Sequence, residues 1–174
     1  MNRIAQFVAA VALAGCAAGP PGPAPTQIAK FDLAPSGTLR VAVFTGNPVI
    51  GSKDSSGELR GTTVLLGKDL AESAGVPVRY MEYTGLTALL DGAKAGNWDV
   101  AVAAFDPARR KVFDFAPPHM VADASQYCFV VPRGRSNALE YVAMFVEHAK
   151  TTGAVARAIE QSGLRGASVA PKAP

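Results

Sequence analysis

Cysteine and histidine are scarce in this 174-residue chain, which has two of each. His119 and His148 lie far apart, and neither has a cysteine or carboxylate cluster at the spacing of metal ligands, so a zinc site is not expected. Cys128 stands in an apolar, strand-like run, where a lone thiol is typical of core packing. The sequence therefore predicts neither a metal centre nor any other cofactor.

Charged residues are also few, at 18% of the chain, and the formal net charge is only +3. Acidic and basic residues alternate through the middle of the chain and form no basic patch, so nucleic-acid binding is not expected. The chain contains no Gly-x-Ser-x-Gly nucleophile elbow. The segment 61–68 is similar to a phosphate-binding P-loop, but Asp69 stands where that motif needs Ser or Thr. No nucleophile has a base that could be argued to reach it, so we do not expect an enzyme.

What the sequence does have is an amino-terminal export signal. A short positive region at residues 1–3 precedes an apolar stretch at residues 4–14, and Leu13-Ala14-Gly15-Cys16 closes it. This arrangement is similar to the lipobox of bacterial lipoproteins, whose cysteine is acylated. The apolar stretch is too short to cross a hydrocarbon core about 30 Å thick. Residues 1–15 are therefore predicted to be a lipoprotein signal peptide, and Cys16 the lipid attachment site.

The segment after Cys16 predicts a tether between a membrane and a folded domain. Residues 16–30 are predicted to be a linker, in which residues 17–27 are rich in proline and glycine and should extend roughly 30 Å, at about 3.1 Å per residue. A single lobe is expected at residues 31–166, followed by a disordered tail at residues 167–174. The expected location is the periplasmic side of the cell envelope. Ala17, rather than an acidic residue, follows the cysteine, which by the habit of lipoproteins favours the outer membrane of a Gram-negative cell.

The body of the chain alternates short apolar strands with helical stretches. Strands are predicted at residues 39–44, 78–83, 98–105 and 126–131, and helices at residues 64–74, 86–95, 107–111, 138–150 and 154–161. This alternation implies right-handed crossovers and an α/β fold with a mainly parallel sheet flanked by helices. We predict the strand order 2-1-3, with the fourth strand beyond the third and the last two helices packed on the same lobe.

A set of short motifs in fixed order resembles the first lobe of the family 3 solute-binding proteins that serve bacterial ABC importers. The motifs are Leu39-Arg40-Val41, Asn47-Pro48, Gly57-Glu58-Leu59-Arg60-Gly61, Leu70-Ala71, Gly75-Val76-Pro77-Val78, Ala95-Gly96-Asn97-Trp98-Asp99-Val100, Asp106-Pro107-Ala108-Arg109-Arg110-Lys111 and Phe113-Asp114-Phe115-Ala116-Pro117. Each is weak alone, but their order and nearly gapless spacing are specific. The resemblance implies one lobe of a type II periplasmic-binding-protein fold and a role in the uptake of amino acids or similar small carboxylates.

The resemblance also implies a ligand site around Arg109, because the equivalent arginine of the family forks onto the α-carboxylate of the ligand. Other positions depart from the family pattern. Asn47 and Ile50 replace an aromatic pair, Thr62 and Thr63 replace a Phe-Asp pair, and Ala104 replaces a hydroxyl that bonds the carboxylate. The candidate ligand-binding residues are Arg109, Asn47, Ile50, Thr62 and Ala104. The alternative is that Arg109 pairs with Asp114 or faces water.

Members of this family have a second lobe, and the resemblance covers no segment that corresponds to it. The segment Gln126–Asn137 resembles the returning hinge strand, appears once, and leads straight into the carboxyl-terminal helices. One lobe offers a small ligand only an open face, so weak binding is expected, with an ABC permease or a second copy as partner. An apolar rim near Phe44 and Ile50 would allow such a homodimer. Two alternatives stay open: an envelope interaction module without a transport role, and a remnant that binds nothing.

Overall fold

The computed structural model describes residues 22–173, so the predicted signal peptide and Cys16 lie outside the described residues. Within that range, the helices are α1 (Gln27–Leu33), α2 (Thr62–Ala74), α3 (Leu86–Lys94), α4 (Ser136–Thr151) and α5 (Ala154–Gln161). The strands are β1 (Leu39–Phe44), β2 (Ser52–Lys53), β3 (Leu59–Arg60), β4 (Val78–Tyr83), β5 (Val100–Ala104), β6 (Phe113–Ala122), β7 (Ser125–Pro132) and β8 (Ser168–Val169). A 3-10 helix covers Pro107–Lys111.

Six of these strands form one sheet in the order β4-β1-β5-β7-β6-β8. β1 lies between β4 and β5 and pairs with both in parallel, which confirms the predicted order 2-1-3. β7 lies beyond β5, as predicted for the fourth strand, and runs antiparallel to it. The other half of the sheet is antiparallel because β6 and β7 form a hairpin, turned by Asp123 and Ala124 with φ of 47° and 59°.

The predicted disordered tail at residues 167–174 differs from the structure. Ser168 and Val169 pair with Val121 and Met120 of β6 and form the edge strand β8, and Ala170 is buried. This pairing was not predicted because β6 itself was not. Its two adjacent prolines interrupt the strand pattern, and the register with β7 shifts around Pro118.

The folded part also begins earlier than the predicted boundary at residue 31. α1 starts at Gln27, after Thr26, whose hydroxyl caps the helix by accepting from the Ala29 N–H at 3.1 Å. Ala29 is buried, and Asp32 accepts from the backbone N–H of Ala138 at 3.0 Å, where α4 starts. The predicted spacer at residues 16–30 therefore overlaps the first helix of the lobe.

Two apolar clusters cover the two faces of the sheet, because successive side chains of each strand point to opposite faces. Val41 and Val43 of β1 pack in the larger cluster with α1, α2, α4 and α5, whereas Ala42 packs in the smaller one with α3. Trp98 anchors the smaller cluster and donates its indole N–H to the Leu89 carbonyl at 3.0 Å. The last two helices pack on this same lobe, as predicted.

Candidate functional site

The predicted ligand-binding residues gather around one edge of the sheet. Asn47 follows β1, Ala104 is the last residue of β5, and Arg109 lies in the 3-10 helix that follows. Since β7 is antiparallel to β5, its first half reaches the same edge, and Tyr127 lies opposite Ala104. Open α/β sheets bind ligands at the carboxyl ends of their parallel strands, which is this edge.

The guanidinium of Arg109 folds back onto the end of its own strand. Its Nη1 donates to the Ala104 carbonyl at 3.1 Å, and its Nε lies 3.3 Å from Asp106 Oδ2. The side chain is 24% exposed, so part of the donor fork still faces solvent. Asp114, the alternative partner considered above, instead lies 4.0 Å from Arg133.

Asp106 has two roles at this turn. Its Oδ1 accepts from the Ala108 N–H at 2.9 Å and caps the 3-10 helix, while its Oδ2 faces Arg109. The carboxylate of Asp106 is chemically the same group as the α-carboxylate of an amino acid. It lies beside the Arg109 Nε, one of the donors that a carboxylate ligand would use, whereas the sequence pattern predicted only its capping role.

Tyr127 lies among the candidate residues but was not predicted from the sequence. The Asn47 side chain donates from Nδ2 to the Tyr127 hydroxyl at 3.4 Å, and its Oδ1 accepts from the Val49 N–H at 3.1 Å. Tyr127 is 4% exposed and lies next to Ala104 in the sheet. The only signal for it was a tyrosine at the start of a predicted strand, which says nothing about the register with β5.

Ile50 and Thr62 lie deeper than the other candidates. Ile50 is 1% exposed, and its carbonyl accepts from the Thr63 N–H at 3.1 Å. A Cβ on Gly61 would lie 2.7 Å from that carbonyl, and Gly61 has a φ of 113°, so glycine lets the loop and the start of α2 meet. Because Ile50 is buried and Phe44 is half-buried, the expected exposed apolar rim is wrong as a basis for dimerisation.

The start of α2 also carries two buried hydroxyls. Thr62 and Thr63 are both 0% exposed, and within residues 22–173 neither hydroxyl has a hydrogen-bond partner. Buried polar groups are usually paired, so these two hydroxyls are an exception among the described residues. In the same range no group of histidine, cysteine and acidic residues could hold a metal ion, and no helix has the length and hydropathy to cross a bilayer.

Comparisons with known proteins identify the family and agree with the fold. The family model of the bacterial extracellular solute-binding proteins, family 3, matches residues 39–163. Among solved structures, the arginine-bound form of domain 1 from TmArgBP, the ArgBP of T. maritima, is 23% identical with a TM-score of 0.60 and covers 67% of this chain and 97% of that chain. No curated protein sequence matches the chain with significance.

Two further structures share the fold. The solute receptor for L-cysteine of Neisseria gonorrhoeae is 16% identical with a TM-score of 0.66, covering 79% of this chain and 93% of that chain. An ancestral cyclohexadienyl dehydratase is 16% identical with a TM-score of 0.67, covering 78% of this chain and 96% of that chain. At these identities the likeness establishes the fold and nothing finer.

Proposed function

The chain belongs to the bacterial extracellular solute-binding proteins, family 3, and on that premise we propose that it is a lipid-anchored binding component for ABC-type uptake of amino acids or similar small carboxylates. The observation that carries this proposal is Arg109, a partly exposed guanidinium at the carboxyl edge of the parallel strands. Its donors match a carboxylate. We propose binding rather than catalysis because the family is one of binding proteins.

The ligand would lie between the loop after β1 and the turn after β5. Ala104 and Asn47 would line this space, with Tyr127 added by its contact to Asn47. Thr62 and Ile50, which are both buried, would support the start of α2 and the loop from below. In this arrangement Arg109 holds the carboxylate, while the remaining residues supply shape and a few polar contacts.

Binding by this single lobe should be weak. An exposed contact between an arginine and a carboxylate contributes about 1 kcal/mol or less, and a desolvated one several times more. Without a covering surface the exposed value applies, so we expect affinity in the millimolar range, about 4 kcal/mol. The solved arginine-bound form of domain 1 from TmArgBP supports ligand binding by one domain. The permease or a second copy would supply the cover.

Titration calorimetry with a panel of free amino acids tests the role of Arg109. We expect Arg109→Ala to weaken binding about fivefold, the equivalent of one exposed charge contact. Arg110→Ala is the matched control, because Arg110 lies in the same 3-10 helix but stacks on Phe105, 5.5 Å from the ring centroid. Equal losses in both variants, or micromolar binding by a monomer, would contradict the proposed site, and no binding at all would support the non-binding alternatives.

The membrane anchor is tested at Cys16. If this cysteine carries the lipid, the wild-type protein should be recovered in the membrane fraction, whereas Cys16→Ser should be released or remain unprocessed because the acylated thiol is lost. Fractionation and mass spectrometry of the amino-terminal peptide check both expectations. Recovery of the wild type in the soluble periplasm, cleaved at another position, would contradict lipid anchoring.

A further inference from the structure

Two large apolar side chains of α1 are exposed to solvent. Ala29 and Leu33 are buried against the lobe, whereas Ile28 is 67% exposed and Phe31 is 71% exposed. Residues three apart in a helix lie on the same face, so these two large side chains form one patch. Among residues 22–173, the other large exposed apolar side chains are less accessible: Phe105 at 39% and Met144 at 48%.

This α1 patch, formed by Ile28 and Phe31, lies towards the edge of the sheet opposite the candidate ligand site. Phe31 borders an open depression of about 290 Å³ whose other walls include Gly37 and Val76. These residues shortly precede β1 and β4, so they mark the amino-terminal edge of the parallel strands. Lys30 fixes α1 there by donating from Nζ to the Gly75 carbonyl at 2.9 Å.

The position of the patch along the chain indicates what covers it. Cys16 stands eleven residues before Gln27, so α1 can move no more than about 40 Å from the anchor, at 3.3–3.6 Å per residue. A lipid surface would therefore always be within reach of the patch, whereas a second copy would have to diffuse to it. An aliphatic and an aromatic side chain on one helical face suit the headgroup boundary of a bilayer.

We propose that Ile28 and Phe31 dock the lobe onto the lipid bilayer that holds Cys16. The inference rests on the proposed lipid anchoring and deepens it, because it gives the anchored lobe an orientation. Docking through the amino-terminal edge directs Arg109 and the ligand edge away from the membrane. The short tether then brings α1 to the bilayer, and the patch holds the lobe there.

The test uses the full-length lipidated protein in phosphatidylcholine vesicles, with an environment-sensitive NBD maleimide on Gln27→Cys. Cys128 should stay unlabelled, since it is 1% exposed and burial raises the pKa of its thiol to about 12. We expect NBD emission to rise in vesicles at position 27 but not in the control Thr87→Cys, an exposed position on α3 across the sheet. Adding Ile28→Ser and Phe31→Ser should lower the ratio of docked to undocked lobe on the order of a hundredfold.

Three outcomes would overturn the proposal. Protein that floats with the vesicles but shows no rise at position 27 would refute docking and leave the anchor intact. Protein that does not float would refute the anchor and docking together. A rise that depends on protein concentration in the absence of vesicles would identify a second copy as the occupant. Circular dichroism of the double variant checks that the lobe is folded, which we expect because both side chains are exposed.

Discussion

At the scale of single residues, the candidate site joins a guanidinium to a carboxylate of the same chain. Asp106 lies 3.3 Å from Arg109, and its side chain is 41% exposed. An ion pair with this exposure contributes little to the free energy of folding. Its larger consequence is for binding, because a ligand carboxylate at Arg109 would lie close to the negative charge of Asp106.

The variant Asp106→Asn should therefore bind small carboxylates more tightly. Asparagine keeps the oxygen that accepts from the Ala108 N–H, so the cap of the 3-10 helix is retained while the competing charge is removed. We expect a gain of up to about fivefold in affinity, measured by calorimetry at physiological salt. Unchanged or weaker binding by a variant of wild-type stability would show that Asp106 does not compete with the ligand.

At the scale of single elements, β6 carries a buried histidine and holds the carboxyl-terminal segment. His119 is 0% exposed, its ring centroid lies 5.2 Å from that of Phe129, and its carbonyl accepts from the Ala170 N–H at 2.9 Å. Burial, together with the charge of Lys150, lowers the pKa of His119 to about 3. Lys150 also donates to the Pro171 carbonyl at 2.8 Å, so the tail packs beside this histidine.

This buried histidine predicts a stability that depends on pH. The unfolded chain binds a proton at His119 near pH 6.5, whereas the folded chain does so only near pH 3, so acid favours unfolding between these values. At pH 5 the free energy of unfolding should be about 2 kcal/mol lower than at pH 7 through this residue. In urea unfolding at both pH values, the free energy of unfolding should fall less between pH 7 and pH 5 for His119→Leu than for the wild type. Equal losses in the two proteins would rule out the buried histidine as the cause.

The elements that could be predicted from the sequence are those whose signals are local. β1 is an apolar run, and α2 ends at Gly75, which has the φ of 62° that favours glycine. β6 could not be predicted, because its prolines interrupt the alternating pattern of a strand and because β8, which pairs with it, is distant in the sequence. The same distinction between local and long-range signals applies to the candidate site. The placement of Arg109 follows from local motifs, whereas the position of Tyr127 opposite Ala104 depends on a long-range antiparallel register.

At the scale of the whole molecule, one buried carboxylate joins the sheet to the start of the carboxyl-terminal helices. β7 ends at Pro132 and leads directly to α4, and Arg135 stands just before that helix. Arg135 Nη1 donates to Asp99 Oδ1 at 2.7 Å, while Arg40 Nε and Nη2 donate to the same carboxylate at 2.9 and 2.7 Å. Asp99 therefore joins β1, the start of β5 and the junction to α4.

This junction predicts that Asp99 is among the residues most costly to replace. The side chain of Asp99 is 0% exposed, so Asp99→Asn leaves two half-buried arginines without their counter-charge. We expect the free energy of unfolding to fall by about 3 kcal/mol in urea titrations. The control Asp91→Asn removes a carboxylate 3.1 Å from Lys94, with both side chains 63% exposed, and should cost about 0.5 kcal/mol or less. If the free energy of unfolding falls by similar amounts in the two variants, the Asp99 junction does not stabilise the fold more than an exposed ion pair does.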